Sequence, residues 1–231
     1  MSVILNGTSQ YLQSTGTTVT VHPMSWSGWF YFDSLSRFDT LLVIRSSETF
    51  VGWDLRKETT NKIQANVYNG SNVYAESTSS VLAGTWVHLG AVYASTSSKK
   101  IYVSGTLEDT DTTPDFGVDG AANRIVLGAF VGGGAPLAGR IAQVGIWNLG
   151  LSDANMASLA AGALPSAVAA ANLQNYYKLV SDGTDTQGNN NLTAVGSPTY
   201  GSDPDIFGSP TPSTVPVLLS SHRQRRVSCL F

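Results

Sequence analysis

Thr85-Trp-Val-His-Leu-Gly-Ala-Val-Tyr-Ala94, with Lys100-Ile-Tyr-Val-Ser-Gly-Thr-Leu107 just beyond it, decides the fold class of this chain. Successive side chains of an extended strand face opposite ways, so the first stretch sorts into two sets. Trp86, His88, Gly90 and Val92 share one face; Val87, Leu89, Ala91 and Tyr93 share the other. The second stretch alternates Ile101 and Val103 with Tyr102, then turns at Ser104-Gly105. Gly105 can take the positive φ that a two-residue hairpin turn demands. The pattern is that of two neighbouring strands, buried on at least one face.

Working outward, further short strands are expected near 2–5, 9–13, 25–33, 39–45, 50–56, 62–68, 72–76, 107–110, 124–129, 138–148 and 174–180. Clusters of Gly, Ser, Asn and Thr separate them, and Asn69-Gly70 is a strong turn signal. Many short strands with such spacing belong to an antiparallel sandwich. Ser152 can cap a helix over 153–161, ended by Gly162. Asn155 stands where a capping box asks for Glu or Gln, so that box is expected to be incomplete. Pro165 is expected to open a second short helix through Ala171.

The first pair of segments resembles the W-x-H…V-Y and Y-V-x-G signature of laminin-G-like, concanavalin A-like jelly rolls. Four other segments resemble that family's elements in the right order. They are Val3-Ile-Leu-Asn-Gly-Thr-Ser-Gln-Tyr-Leu12, Met24-Ser-Trp-Ser-Gly-Trp-Phe-Tyr-Phe32, Leu137-Ala-Gly-Arg-Ile-Ala-Gln-Val-Gly-Ile-Trp-Asn148 and Leu151-Ser-Asp-Ala-Asn-Met156. The resemblance covers residues 2 to 163, with an echo near 173–196. It implies an all-β, antiparallel two-sheet jelly-roll sandwich carrying one or two short helices. It is far less specific for function, because one fold hosts many functions. Trp29, Trp86 and Trp147 fall on core positions of the resembled family and are expected to be buried.

Composition narrows the setting. Charged residues are 13% of the 231, and the formal net charge is −3, which gives no long-range pull toward nucleic acid. So low a charge fits a surface covered in part by a partner, and equally a Ser/Thr-covered β-protein. The single cysteine, Cys229, excludes an intrachain disulfide and a thiolate metal cluster. No apolar run reaches 18 residues, so no membrane span is expected. The start of the chain does not read as a secretory signal, which turns the expectation toward a bacterial or viral protein made in the cytoplasm.

Beyond Ser197 the composition shifts. Pro198, Pro204, Pro210, Pro212 and Pro216 deny this stretch a place inside a sheet. We therefore divide the chain into a domain over 1–197 and an extended C-terminal arm over 198–231. The arm's end carries Leu218, Leu219, Arg223, Arg225, Arg226 and Phe231. Its leucines and phenylalanine need an acceptor surface, and its arginines can pair with carboxylates, so it is expected to dock on its own body or on a neighbouring subunit.

Catalytic chemistry is hard to place. Glycoside hydrolases of the resembled fold carry alternate carboxylates on one strand face. The nearest cluster here, Glu108-Asp-Thr-Asp111, ends a hairpin, and Arg140-Ile-Ala-Gln-Val-Gly-Ile-Trp147 has no acid. No enzymatic activity is expected, and His88 is expected to be structural. Calcium is the one metal the resemblance implies, since related domains hold it through loop oxygens. Asp182, Asp185 and Asn189 are the candidate ligands, although the same residue types recur for turn geometry alone. Trp53, in Phe50-Val-Gly-Trp-Asp54, is the tryptophan least committed to a core and the candidate glycan contact.

Two functional classes remain open. One is a non-enzymatic bacteriophage virion subunit, capsid-decorating or fibre-like, oligomeric and partnered by other virion proteins. The other is a carbohydrate-binding lectin or adhesion module that engages cell-surface glycans.

Overall fold

The computed structural model of the chain describes residues 1–201, and the statements below concern those residues. The strands, in chain order, are β1 (Ser2–Asn6), β2 (Tyr11–Gln13), β3 (Met24–Phe32), β4 (Asp39–Arg45), β5 (Gly52–Lys57), β6 (Ile63–Tyr68), β7 (Asn72–Glu76), β8 (Trp86–Ser95), β9 (Ser98–Val103), β10 (Thr106–Asp111), β11 (Arg124–Leu127), β12 (Ala138–Trp147), β13 (Leu173–Tyr177), β14 (Thr193–Val195) and β15 (Thr199–Gly201). One helix, α1 (Asp153–Ala160), and two 3-10 turns, Pro165–Ala167 and Ala170–Asn172, lie between β12 and β13.

They form two sheets. The eight-stranded sheet runs β10-β9-β8-β3-β12-β1-β15, with β13 paired to β12; the seven-stranded sheet runs β14-β2-β11-β4-β5-β6-β7. Each named strand pair is antiparallel, as expected of a jelly-roll sandwich. β12 serves two neighbours on one edge: Ala138–Ile141 pair with β1, and Val144–Trp147 pair with β13. The change of partner coincides with a bulge against β3 at Gln143, whose φ is +53°.

The core lies between the sheets and is built from alternate residues. Leu89, Ala91 and Tyr93 of β8 enter it together with Trp26 and Phe30 of β3 and Trp53 and Leu55 of β5. Val92, Tyr102, Trp147 and Tyr176 face the other side of the eight-stranded sheet, beneath Met156 and Leu159 of α1. Gly90 is what lets α1 sit so close: a Cβ there would stand 2.6 Å from the Met156 sulfur. His88 is buried among neutral groups, hydrogen-bonded to Ser27 at 2.7 Å, and burial pulls its pKa down to about 4, in keeping with a structural role.

Three local expectations change. Asn155 completes the capping box after all: its Oδ1 accepts the Ser152 backbone N–H at 3.2 Å, while the Ser152 hydroxyl accepts the Asn155 N–H at 3.2 Å. An amide oxygen reaches back as a carboxylate would. The segment after Pro165 forms two separate 3-10 turns, because Ala169 takes a left-handed φ of +44° between them. The sheet also runs past residue 197: Thr199–Gly201 pair with Ser2–Ile4, so the body extends four residues into the expected arm. Pro198 precedes this edge strand, where its missing N–H breaks no ladder.

Two edge strands, β7 of one sheet and β10 of the other, lie side by side and are laced by carboxylates. Asp109 accepts the backbone N–H of Glu76 at 3.0 Å, and Glu108 accepts the N–H of Ser79 at 2.9 Å and its hydroxyl at 2.5 Å. Glu108 is thus a brace, and Asp111 pairs with the buried Lys99 at 3.0 Å.

Candidate functional site

The face of the seven-stranded sheet turned away from the core is polar at its centre and aromatic at its margins. Alternation builds it. Trp53, Leu55, Ala65 and Val67 point into the core, so Asp54 and Arg56 of β5 and Gln64, Asn66 and Tyr68 of β6 point outward. Arg45 from β4 and Asn72 and Tyr74 from β7 extend the same rows. An outward set of this kind would ordinarily be solvated. Here Asp54 and Asn66 are fully buried, and Arg45 and Arg56 are each 7% exposed.

A dense network holds them. The Asp54 carboxylate accepts from Arg45 and, at 2.9 Å, from the Asn66 amide, and Arg56 lies 3.7 Å away. Arg56 forks onto the Gln64 oxygen at 2.9 and 2.8 Å, reaches Asn72 at 3.2 Å and pairs with Glu58 at 3.1 Å. Asn66 also donates to Asn72 at 3.1 Å. Aromatic rings cover the arginines. Arg45 lies 5.2 Å from the ring centres of both Tyr68 and Phe130; Arg56 lies 5.5 Å from Phe38 and 6.0 Å from Tyr74. Phe38 and Phe130 stack on each other at 5.8 Å. A desolvated guanidinium between rings is stabilised by up to about 2 kcal/mol, so rings and cations fix one another.

At one end of this face the rings part around a cavity of about 360 Å³, lined by Arg45, Phe50, Tyr68, Phe130 and Val131. That lies within the range of roughly 300–1,000 Å³ of small-ligand pockets. Gly52 is the cross-strand neighbour of both Arg45 and Tyr68 and leaves the gap between them; its φ is +142° and a Cβ would meet the Ile44 carbonyl at 2.4 Å. Arg45 is the one charged side chain of the lining. Its Nη2 is tied down by Asp54, whereas its Nε has no partner. Phe50, half exposed on the β4–β5 loop, forms the outer wall.

The loops that rim the cavity are braced from behind. Asn123 accepts the Ser47 N–H at 2.9 Å and donates to Glu48 at 2.8 Å, and Asn69 donates to the Phe116 carbonyl at 3.0 Å. His22 anchors the same 112–123 loop: its Nδ1 is 2.8 Å from Asp119 and its Nε2 is 3.7 Å from the buried Asp115. Burial pulls the His22 pKa down, but Asp115 and Asp119 together outweigh it, and the value lies above the ordinary one.

The residues singled out from the sequence lie elsewhere. Trp53 is fully buried in the core, edge-on to His22 at 5.4 Å, and cannot touch a glycan. It shares its inward face with Leu55, and the same alternation turns its neighbour Asp54 outward. Trp147 is buried as expected, but Trp29 and Trp86 are only half-buried, on the outer face of the eight-stranded sheet.

Calcium does not fit the 182–189 loop. The buried Asp185 carboxylate accepts five N–H groups, from Asn175, Tyr176, Gln187, Asn189 and Asn190, at 2.8–3.1 Å. Asp182 closes a turn onto the Thr184 N–H, and the Asn189 amide donates to the Gln174 carbonyl. Asp185 is a hub for backbone donors, with no oxygen lone pair left for a cation. Among the described residues no three His, Cys, Asp or Glu side chains gather as metal ligands. Leu218, Leu219, Arg223, Arg225, Arg226 and Phe231 lie outside the described residues.

Comparison with known proteins agrees with this architecture. The family model described as the concanavalin A-like lectin/glucanases superfamily matches residues 6–157. No curated protein sequence matches the chain. Among solved structures, a Bacteroides ovatus protein assigned to carbohydrate binding is similar with a TM-score of 0.64 and 19% identity, over 89% of this chain and 61% of the other. The chain thus spans about six tenths of that protein's length. A heptameric SAP-like pentraxin from Limulus polyphemus is similar with a TM-score of 0.60 and 15% identity, over 71% of this chain and 82% of the pentraxin. The CBM40 of the Ruminococcus gnavus IT-sialidase, bound to α2,3-sialyllactose, is similar with a TM-score of 0.53 and 12% identity, over 61% and 84% of the two chains.

Proposed function

The chain belongs to the concanavalin A-like lectin/glucanases superfamily, and from that premise we propose that it is a carbohydrate-binding module whose ligand seats in the aromatic-walled cavity of the seven-stranded sheet. The observation that carries this reading is Arg45. It is a nearly buried guanidinium set between Tyr68 and Phe130, fixed by a buried aspartate and lining a cavity of sugar-sized volume. Aromatic faces offer apolar area to the C–H faces of a pyranose, and a fixed N–H donor selects the orientation of its oxygens. Because Asp54 and the rings hold Arg45 before any ligand arrives, little side-chain entropy is lost on binding.

The protein's neighbours in structure support the same class: one is assigned to carbohydrate binding and another holds sialyllactose. The virion reading rests on low charge and on the segment past Gly201, and no geometry in the described residues favours it. The module binds without hydrolysing: Glu108 and Asp111, the acids weighed as catalysts, are engaged in bracing the sheet edges.

The test is a glycan array followed by calorimetry on the best ligand with Tyr68→Ala, Phe130→Ala and Arg45→Met. Each replacement is expected to weaken binding at least tenfold, or about 1.4 kcal/mol, while the melting transition stays cooperative. Binding unaffected by all three would move the site away from this cavity.

A further inference from the structure

The β6–β7 hairpin closes through Asn69-Gly70-Ser71, and both residues that flank this turn belong to the outward network. Tyr68 and Asn72 are cross-strand partners. Tyr68 lines the cavity and lies on Arg45; Asn72 accepts from Arg56 and from Asn66. The turn also holds the neighbouring loop, because the half-buried Asn69 donates from its Nδ2 to the Phe116 carbonyl at 3.0 Å. The Ser71 hydroxyl makes only a long contact with the Asn69 Oδ1, at 3.4 Å. Gly70 is exposed, and a Cβ built on it would meet nothing within 4 Å. Its N–H donates to no acceptor among the described residues.

We propose that Asn69–Gly70 is a site of spontaneous covalent modification, at which the Asn69 amide is lost and the turn that carries Tyr68 is rebuilt one backbone atom longer. The Gly70 backbone nitrogen gives its proton to hydroxide and attacks the Asn69 Cγ. The new N–Cγ bond forms as the Cγ–Nδ2 bond breaks, and Nδ2 takes a proton from water and leaves as ammonia. The product is a five-membered succinimide. Water then opens one of its two carbonyls. Opening at the side-chain carbonyl leaves aspartate; opening at the backbone carbonyl leaves isoaspartate, with the chain routed through Cγ. Water is consumed, ammonia is released, and nothing is oxidised or reduced. The ring forms only if the peptide plane after the asparagine can rotate until its nitrogen faces Cγ. A glycine with open space around it allows that rotation.

A second Asn-Gly pair, Asn6–Gly7 at the end of β1, marks what the fold contributes. There the side chain is tied down. The Asn6 Oδ1 accepts the N–H of Thr8 and of Ser9, each at 3.0 Å, and its Nδ2 reaches the Ser9 hydroxyl at 3.3 Å. Gly7 is clasped as well: its carbonyl accepts from Arg37 at 3.1 Å, and a Cβ on it would stand 2.6 Å from the Ala138 Cβ. The same dipeptide is therefore held at one end of the sequence and left open at the cavity. Isoaspartate at 69 would lengthen the connection between Tyr68 and Asn72. Either product would also set a carboxylate, which the Phe116 carbonyl repels, where an N–H donor stood. The cavity wall and its brace slacken together.

The test follows the full chain through incubation at mildly alkaline pH. Tryptic peptides 1–37 and 63–99 carry the two pairs separately, and fragment masses read the exchange of an amide NH2 for OH at each asparagine. Asn69 is expected to convert at least about tenfold faster than Asn6, a barrier difference of about 1.4 kcal/mol. In concentrated urea the two are expected to convert at similar rates. Equal rates in the folded protein, no conversion at Asn69, or a difference that persists in urea would each overturn the proposal. The slackened brace has its own readout, which needs no ligand: chymotrypsin cleavage after Phe116, a side chain 70% exposed. Aged protein and freshly made Asn69→Asp are expected to be cut there severalfold faster than fresh wild type. The same cleavage rate in all three would overturn the coupling to the cavity wall.

Discussion

Asp54→Ala is the most informative single change in the protein. The carboxylate is fully buried beneath the aromatic face, bonded to Arg45 and Asn66, with Arg56 at 3.7 Å. Its removal strands the nearly buried Arg45 guanidinium, whereas Arg56 keeps Glu58, Gln64 and Asn72. Breaking a buried pair from one side costs about 3–5 kcal/mol, most of it the desolvation of the charge left behind. With a urea m-value of about 2–3 kcal/mol/M for a domain of this size, the unfolding midpoint should fall by roughly 1.5 M. Tryptophan fluorescence during urea unfolding reads this directly. The companion variant replaces both partners, Asp54→Leu with Arg45→Met. Apolar residues of similar volume often stand in for a buried ion pair without loss, so this double variant should recover most of the stability while ligand affinity stays low. That contrast would assign the pair to recognition rather than to folding. A midpoint shift under about 0.4 M for Asp54→Ala would refute the reasoning, as would a double variant no more stable than the single.

Four further outcomes follow from the structure. Trp53→Ala should cost about 3–5 kcal/mol by leaving a core cavity, whereas Trp53→Phe should keep full glycan affinity, as calorimetry would check. His22 favours its proton more in the fold than in the open chain, so the stability it adds is complete below its ordinary pKa of 6.5 and is lost as pH rises through the higher folded value. Urea midpoints measured from pH 6 upward should therefore fall, and His22→Gln should flatten that slope. Asp185→Ala should lower stability by about 1.5–3 kcal/mol or more through orphaned N–H donors. EDTA and added calcium should leave the wild-type melting temperature unchanged; a rise with calcium would reopen the loop as a metal site.

The fold was legible because period-2 alternation leaves its mark residue by residue, and β8, with Leu89, Ala91 and Tyr93 turned into the core, carries it plainly. β14 and β15 escaped notice because three-residue edge strands are too short to alternate, and Pro198 argued against the second of them. The site was harder to see. Trp53-Asp-Leu-Arg56 does announce that Trp53 and Leu55 share a face, and that rule alone would have sent Trp53 inward. No local pattern announces that the outward set is buried. Asp54, Arg56, Gln64 and Asn66 read as an ordinary wet strand face; only rings brought from positions 38, 68, 74 and 130 turn it into a covered network. The loop around Asp185 misled for the converse reason: oxygen-rich turns that bind cations and oxygen-rich turns that tie their own backbone use the same residues.

The lacing of β7 to β10 bears on how this protein behaves in a crowd. An open sheet edge is a template for another chain's strand, and two such edges in one sandwich would invite stacking into fibres. Here β7 and the turn after it are occupied by Asp109 and Glu108 of β10, whose carboxylates hold the N–H groups of Glu76 and Ser79 and place negative charge along that rim. An incoming strand would have to strip those carboxylates from their donors and meet their repulsion. The rim should therefore resist edge-on aggregation best near neutral pH. It should become a nucleation point in acid, once its carboxylates take up protons and release the backbone N–H groups they now hold.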